Sequence, residues 1–279
     1  MGKNMVVKKI FITGASGYIG KELARYFLKR GYELNLLTRD KMRIPLDLLE
    51  SKKVNIFVGS LENRNVLREA VEGVGAIFHL AACLSTFETR NNLLKTNELG
   101  LKNILLECKK TNRAVRFVFA SSVDVEKRRS DYAESKLRGE EIIKKIFLSN
   151  TKISYTIIRI GNVYQKGESG MVKGIEEIID RNNWQSSVLY YLLGDKHLYL
   201  VEMKNLIKKM AEMIDDPNAV NKTVLAVDKR LTIREIFKQK KVKSLPKYYF
   251  GLSVLLKIWL ILGKIFKKAD LLVYLSLEE

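Results

Sequence analysis

The sequence predicts an α/β protein built on a doubly wound parallel sheet, followed by a small C-terminal region and a hydrophobic helical tail. Three observations predict it. Apolar runs of strand length alternate with amphipathic stretches of helical period from Val6 to Ile158. A glycine-rich turn, Thr13-Gly-Ala-Ser-Gly-Tyr-Ile-Gly20, joins the first run to the first helix. The chain's 279 residues, 47% of them hydrophobic, suffice to bury a large core.

The first strand is Val6 to Ile12, and Ile19, Leu23, Ala24, Phe27 and Leu28 recur at helical spacing after it. The glycines therefore sit at a strand-to-helix turn, the arrangement that cradles the pyrophosphate of a dinucleotide. Gly14 permits the tight turn, Gly17 admits the pyrophosphate to the backbone, and Gly20 lets helix lie on strand. Ser16, Tyr18 and Ile19 complete the cradle, with amide groups at the helix start facing the anion. The second strand runs from Glu33 to Asp40. An acidic residue about 20 positions beyond the glycine turn would hold a ribose 2′-hydroxyl, whereas arginine accommodates a 2′-phosphate. Here Thr38 is followed by Arg39, with Lys41 and Arg43 nearby, which favours NADP. NAD remains open through Asp40.

Val54–Val58 reads as the third strand and Glu62–Val71 as a helix. Ala76–Leu80 is the fourth strand, ending in Ala81-Ala82, small residues that let backbone approach a ligand. His79, inside an apolar strand, reads as a core histidine rather than a base. Leu93–Lys110 reads as one long helix, Val115–Phe119 as a strand ending in Ser121-Ser122, Asp131–Leu148 as a helix and Ile153–Ile158 as a strand. Beyond it, Met171–Arg181 and Met203–Ile214 read as helices, with Val188–Leu193 and Leu198–Val201 as short strands.

Asp131-Tyr-Ala-Glu-Ser-Lys136 carries the chemistry. Tyr132 and Lys136, four apart on a helix, share a face. A phenol ordinarily titrates near 10, and bringing it to about 7 takes some 4 kcal/mol of preferential phenolate stabilisation. A fixed ammonium and a cationic nicotinamide ring are the expected sources. Tyr132 then serves as acid or base at a substrate oxygen while hydride moves to or from the cofactor. Ser122, at the end of the neighbouring strand, is placed to hydrogen-bond the same oxygen.

With these motifs in this order, the chain resembles the extended short-chain dehydrogenases/reductases across roughly residues 5–240. The residues that carry the likeness are Thr13–Gly20, His79–Ala82, Asn97–Gly100, Phe117–Ser122, Tyr132–Lys136 and Ile158–Tyr164. The resemblance implies a Rossmann fold, Ser122, Tyr132 and Lys136 as a catalytic triad, and Asn97 supporting it from the preceding helix. It further implies that Lys136 binds the nicotinamide ribose, that Ser60, Leu61 and Leu80 line the cofactor, and that the protein is a homodimer. It divides the chain into a dinucleotide-binding core at 1–165, a substrate-side region at 166–244 and the tail at 245–279. Departures are Ser60 where the family usually has aspartate, Ile160 for a proline and Gln165 for a glycine. Nine residues separate Ser122 from Tyr132, a shorter loop than sugar-nucleotide members carry.

Composition bounds the rest. Fifty Lys+Arg against 31 Asp+Glu give a formal charge of +19, which favours anionic partners. The lysines are spread along helices and no nucleic-acid recognition motif is present, so no nucleic-acid partner is expected. Three prolines and no low-complexity tract leave no evident linker. Cys83 and Cys108 lack metal-ligand spacing, so no metal is expected, and with no signal-peptide pattern the expected location is cytoplasmic. In the tail, the uninterrupted apolar run Ile258–Leu262 is far short of the roughly 20 residues of a membrane span. A helix over the substrate cleft, a dimer contact and a peripheral helix on anionic lipid all remain open, and a hydrophobic tail brings a lipid-like substrate into view. The expected activity is interconversion of a secondary alcohol and a ketone; a nucleotide-sugar epimerase or dehydratase and a non-catalytic dinucleotide-binding subunit are the alternatives.

Overall fold

The computed structural model describes residues 7–83, 93, 95–126, 130–148, 152–165, 171–182 and 184–240. The tail at 245–279, and every expectation attached to it, lies outside them. Among the described residues no helix is long and apolar enough to cross a membrane. The chain forms two compact units, residues 1–159 with 207–225, and residues 160–206 with 226 onward.

The first unit holds a seven-stranded sheet in the order β3-β2-β1-β4-β5-β6-β9. Its strands are β1 (Lys9–Thr13), β2 (Glu33–Thr38), β3 (Val54–Val58), β4 (Ala76–His79), β5 (Val115–Ser122), β6 (Ile153–Ile160) and the edge strand β9 (Lys222–Ala226). The pairs β1 with β2, β2 with β3, β1 with β4 and β4 with β5 are all parallel. Residues 10–13 of β1 and all of β4 and β5 are buried, as expected of strands covered on both faces. Neighbours in sequence point to opposite sides. Ile77 joins a core with Leu67, Leu101, Ile104, Phe117, Ile143 and Ile157, while Phe78 meets Phe27 with ring centroids 5.2 Å apart.

Helices α1 (Tyr18–Lys29), α2 (Leu46–Leu49), α3 (Arg64–Ala70), α4 (Gly100–Lys110) and α5 (Asp131–Phe147) connect these strands. The chain winds outward one way from β1 through β2 to β3 and the other way from β4 onward. The C-terminal ends of β1 and β4 therefore flank a topological switch point, where open α/β sheets bind ligands. Within the expected helix over 93–110, Leu93 and Gly100–Lys110 are α-helical, and Lys95–Leu99 form a π-helical turn. Asn97, within that turn, is buried, and π-helical turns cluster at functional sites.

The second unit has a three-stranded sheet in the order β10-β8-β7, from β7 (Asn162–Tyr164), β8 (His197–Glu202) and β10 (Lys229–Thr232). Strand β8 is parallel to β7 and antiparallel to β10. Its helices are α6 (Met171–Arg181), α7 (Trp184–Ser187) and α9 (Ile233–Gln239), and α8 (Met203–Glu212) leads back to the first unit. The strand expected over 188–193 is corrected: Val188–Leu192 are π-helical. Aromatic and β-branched residues there suggest a strand, but Leu189 and Leu193, four apart, are buried with Ile175, Ile179, Leu198 and Phe237. Burial of that stripe overrides local propensity.

Candidate active site

The glycine turn forms as its spacing requires. Gly14 has φ of +72°, and a Cβ there would stand 2.8 Å from the Ala81 nitrogen, so the ends of β1 and β4 touch through a position that admits no side chain. A Cβ on Gly20 would lie 2.1 Å from the Gly14 carbonyl oxygen. Gly17 caps α1 without a side-chain hydrogen bond, and the helix's first turn holds no acidic residue. Ser16, Gly17, Tyr18 and Ile19 are exposed or half-buried around this N-terminus. A helix start shaped this way suits a phosphate, so the residues present fit a dinucleotide.

Thr13 and His79 are register partners on β1 and β4. Their side chains share a hydrogen bond at 2.9 Å, and the Thr13 hydroxyl accepts from the Ala81 amide at 3.2 Å, which fixes the Leu80–Ala82 segment beside the cradle. His79 is a core residue as expected. It is 1% exposed, stacks on Phe117 and Phe119, and is held down to about 3 by burial first and Lys136 second.

At the end of β2 the Thr38 hydroxyl donates to the Asp40 carbonyl at 2.8 Å, and Asp40 Oδ1 accepts from the Met42 amide at 2.9 Å. That ordered turn leaves Arg39, Lys41 and Arg43 exposed. The side chains of the three have no hydrogen-bond or ion-pair partner among the described residues. Ser60 serves its own turn, its hydroxyl accepting from Glu62 N at 3.3 Å. The Leu61 side chain is buried and its carbonyl accepts from Asn103 Nδ2 at 3.0 Å.

The triad lies within the first unit, at the C-terminal end of β5 and the start of α5. Ser130 caps α5 by accepting from the Ala133 amide at 3.1 Å, so the helix begins one residue before Tyr132. Lys136 is 3% exposed; its Nζ donates to the Ala120 carbonyl at 2.7 Å and lies 5.7 Å from the centroid of the Tyr132 ring. Burial lowers the Lys136 ammonium from 10.5 to about 8. The expectation that the folded site draws the phenol down is not met by the protein's own groups. Tyr132 is pushed above its ordinary value, by burial first and then by the Asp124 carboxylate. Ser122 is 7% exposed and points its hydroxyl at a residue the motifs did not name, donating to Asp124 Oδ2 at 3.0 Å.

Asn97 is fully engaged. Its Oδ1 accepts from Cys83 N at 2.8 Å, and its Nδ2 donates to Cys83 O at 3.1 Å and to Ser135 Oγ at 2.9 Å. Ser135 Oγ in turn donates to the Tyr132 carbonyl at 2.8 Å. Asn97 thus ties the segment after β4 to α5. Glu140 continues the stripe of Tyr132 and Lys136 by another four residues, a signal present in the sequence and not used there. Its side chain is fully buried and accepts from Ser121 Oγ at 2.6 Å and from Arg159 Nε and Nη2, both at 3.0 Å. Arg159 therefore braces β6 to α5, and its remaining bond, at 2.9 Å, goes to Glu126.

Residues 10–226 match the NAD dependent epimerase/dehydratase family. A putative dihydroflavonol 4-reductase of Synechocystis is 35% identical over 114 residues, 40% of this chain and 32% of that protein. The human sterol-4-alpha-carboxylate 3-dehydrogenase (decarboxylating) is 26% identical over 118 residues, 42% of this chain and 30% of that protein. The chain thus spans about a third of the length of these relatives. The crystal structure of a UDP-glucose 4-epimerase from Thermotoga maritima, holding UDP-glucose, superposes with a TM-score of 0.67 at 18% identity, covering 86% of this chain and 84% of that one. At that identity the likeness is one of fold.

Proposed function

The chain belongs to the NAD-dependent epimerase/dehydratase family, and from that premise we propose that it is an NADP-dependent oxidoreductase interconverting a secondary alcohol and a ketone. The observation that carries this reading is the placement of Tyr132 and Lys136 on one face of α5, with Lys136 bonded to Ala120 near the Ser122 end of β5, in the sheet whose β1 leads into the glycine turn, with β4 between β1 and β5. A bound nicotinamide dinucleotide supplies the two-electron acceptor or donor and, when oxidised, a positive charge near the phenol. The chain's own part is to hold and to move a proton. In oxidation Tyr132 takes the proton of the substrate hydroxyl; in reduction it returns one to the carbonyl oxygen. Lys136 is anchored through one N–H to Ala120 and keeps two for ribose hydroxyls. The turn at Gly14–Gly20 holds the pyrophosphate, and Arg39, with no partner of its own, is the group for a 2′-phosphate. Relatives named for a dihydroflavonol and a sterol support an apolar ring alcohol or ketone as the substrate class.

The test is mass spectrometry of small molecules released by denaturing the freshly purified protein, joined to turnover of Tyr132→Phe on a panel of secondary alcohols and ketones. We expect little retained dinucleotide, or NADP(H), with turnover abolished in the variant and NADPH affinity nearly intact. Near-stoichiometric NAD(H) would instead favour an epimerase that regenerates its cofactor in place, and unchanged turnover in Tyr132→Phe would sink the mechanism.

A further inference from the structure

Phe119 lies on β5 one residue before the carbonyl that anchors Lys136, and the reaction as derived gives it no part. It is the register partner of His79 on β4 and is 2% exposed. Its ring runs nearly parallel to that of His79, at 13° with centroids 5.9 Å apart. The Lys136 Nζ stands over the Phe119 ring, 4.8 Å from its centroid. Gly139 makes room for this arrangement from α5. A Cβ there would meet Phe119 Cζ at 2.8 Å and Leu101 Cδ2 at 3.2 Å. Position 139 is three residues beyond Lys136, so bare backbone admits the ring on the helix face that carries the ammonium.

A buried charge is costly unless something offsets the lost water. One N–H of Lys136 is satisfied by the Ala120 carbonyl, and among the described residues the ammonium has no carboxylate partner. The face of an aromatic ring carries the negative part of its quadrupole and attracts a cation within about 6 Å of the centroid. At 4.8 Å the ring acts on the charge without taking up an N–H, and two N–H groups are left.

We propose that Phe119 is a positioning residue for Lys136, its ring face holding the ammonium charged and in place in the apolar interior, so that the two remaining N–H groups stay ready for ribose hydroxyls. The ribose rests on the oxidoreductase reading; the hold of the ring on the ammonium stands without it. Other titratable groups surround the lysine. His79 on β4 is neutral at ordinary pH. Asp131, Tyr132 and Glu134 occupy the first turn of α5, Asp124 follows β5 and acts on the phenol, and Glu140 is bound by Arg159 and Ser121. Glu98 on the π-helical turn is paired with Arg138, and Glu107 on α4 with Arg64 and Lys110. A change confined to the electrons of ring 119 alters none of these, so a shift it produces in Lys136 belongs to the ring.

The test is the titration of Lys136 by NMR in the full chain, with lysine isotope-labelled at Cε and the signal identified by its loss in Lys136→Met. Phe119 is replaced in turn by mono-, di- and trifluorinated phenylalanine through site-specific incorporation. Fluorine drains charge from the ring face and leaves its shape almost unchanged, so the core stays packed where Phe119→Leu would open a cavity. The midpoint should fall stepwise with each fluorine, by roughly 0.5–1.5 pH units over the series, the worth of a cation over a ring face. NADPH affinity, read at about pH 8 near the midpoint of the unmodified chain, should weaken in the same order by roughly two- to tenfold. A core phenylalanine that only fills space would give one midpoint throughout. Equal midpoints across the series, or NADPH bound equally well by all its members, overturns the proposal. If the unmodified chain binds no NADPH, the oxidoreductase reading falls instead, and the titration alone decides on Phe119.

Discussion

Replacing Glu140 with alanine tests the brace beneath the triad. The carboxylate is fully buried and takes three hydrogen bonds, two from Arg159 and one from Ser121. Removing it leaves a guanidinium that is 21% exposed with one carboxylate partner, Glu126, whose side chain is 74% exposed. It also strands the Ser121 hydroxyl in the interior. Breaking a buried ion pair by removing one partner costs about 3–5 kcal/mol, and an exposed pair such as Arg159 with Glu126 offsets little of that. Glu140→Ala should therefore lower the unfolding free energy by about 3–5 kcal/mol. Glu126→Ala, which removes the exposed partner alone, should cost under about 1 kcal/mol. Urea denaturation followed by circular dichroism measures both, with an unchanged slope required for a like-for-like comparison. A loss below about 1 kcal/mol in Glu140→Ala, or equal losses in the two variants, would refute the assignment of Arg159 and Glu140 as the brace.

Two further outcomes follow from the charges. Lys136 titrates at about 8 in the folded protein against 10.5 ordinarily, so between those values the unfolded chain binds more protons and stability rises with pH. The rise amounts to something on the order of 3 kcal/mol, is absent below the window, and should be missing in Lys136→Met; identical pH dependence of the urea midpoints would contradict the burial of that ammonium. Arg39→Ala should weaken NADPH by about 10- to 100-fold, the value of a charge-assisted hydrogen bond, and leave NADH nearly unchanged. Nucleotide fluorescence titration decides it, and equal losses for both would reject Arg39 as the reader of a 2′-phosphate.

The parts of this protein legible from the residues were those written in short-range pattern. The alternation of apolar strand and amphipathic helix requires a parallel sheet. The spacing Gly14, Gly17, Gly20 makes sense only at a strand-to-helix turn, and Tyr132 and Lys136 four apart must share a helix face. Each is a property of a few neighbouring residues and of backbone geometry, so no knowledge of distant chain was needed. The strand expected over 188–193 failed for the complementary reason, because its six residues were judged alone while Leu189 and Leu193 answer to Ile175 and Phe237.

The site's chemistry, by contrast, was settled by groups that meet across the fold. Asn97 reaches Ser135, 38 residues away, through a π-helical turn that no periodicity announces. Arg159 is bound into the scaffold by Glu140, 19 residues away in the chain. The phenol of Tyr132 was expected to be drawn down by Lys136, yet its proton is held by burial and by Asp124, and the Ser122 hydroxyl is turned toward that same carboxylate. Sequence spacing states which side chains share a face, but the state of a proton depends on desolvation and on every charge within a few ångströms. Those are set when strands and helices remote in the chain close on one another.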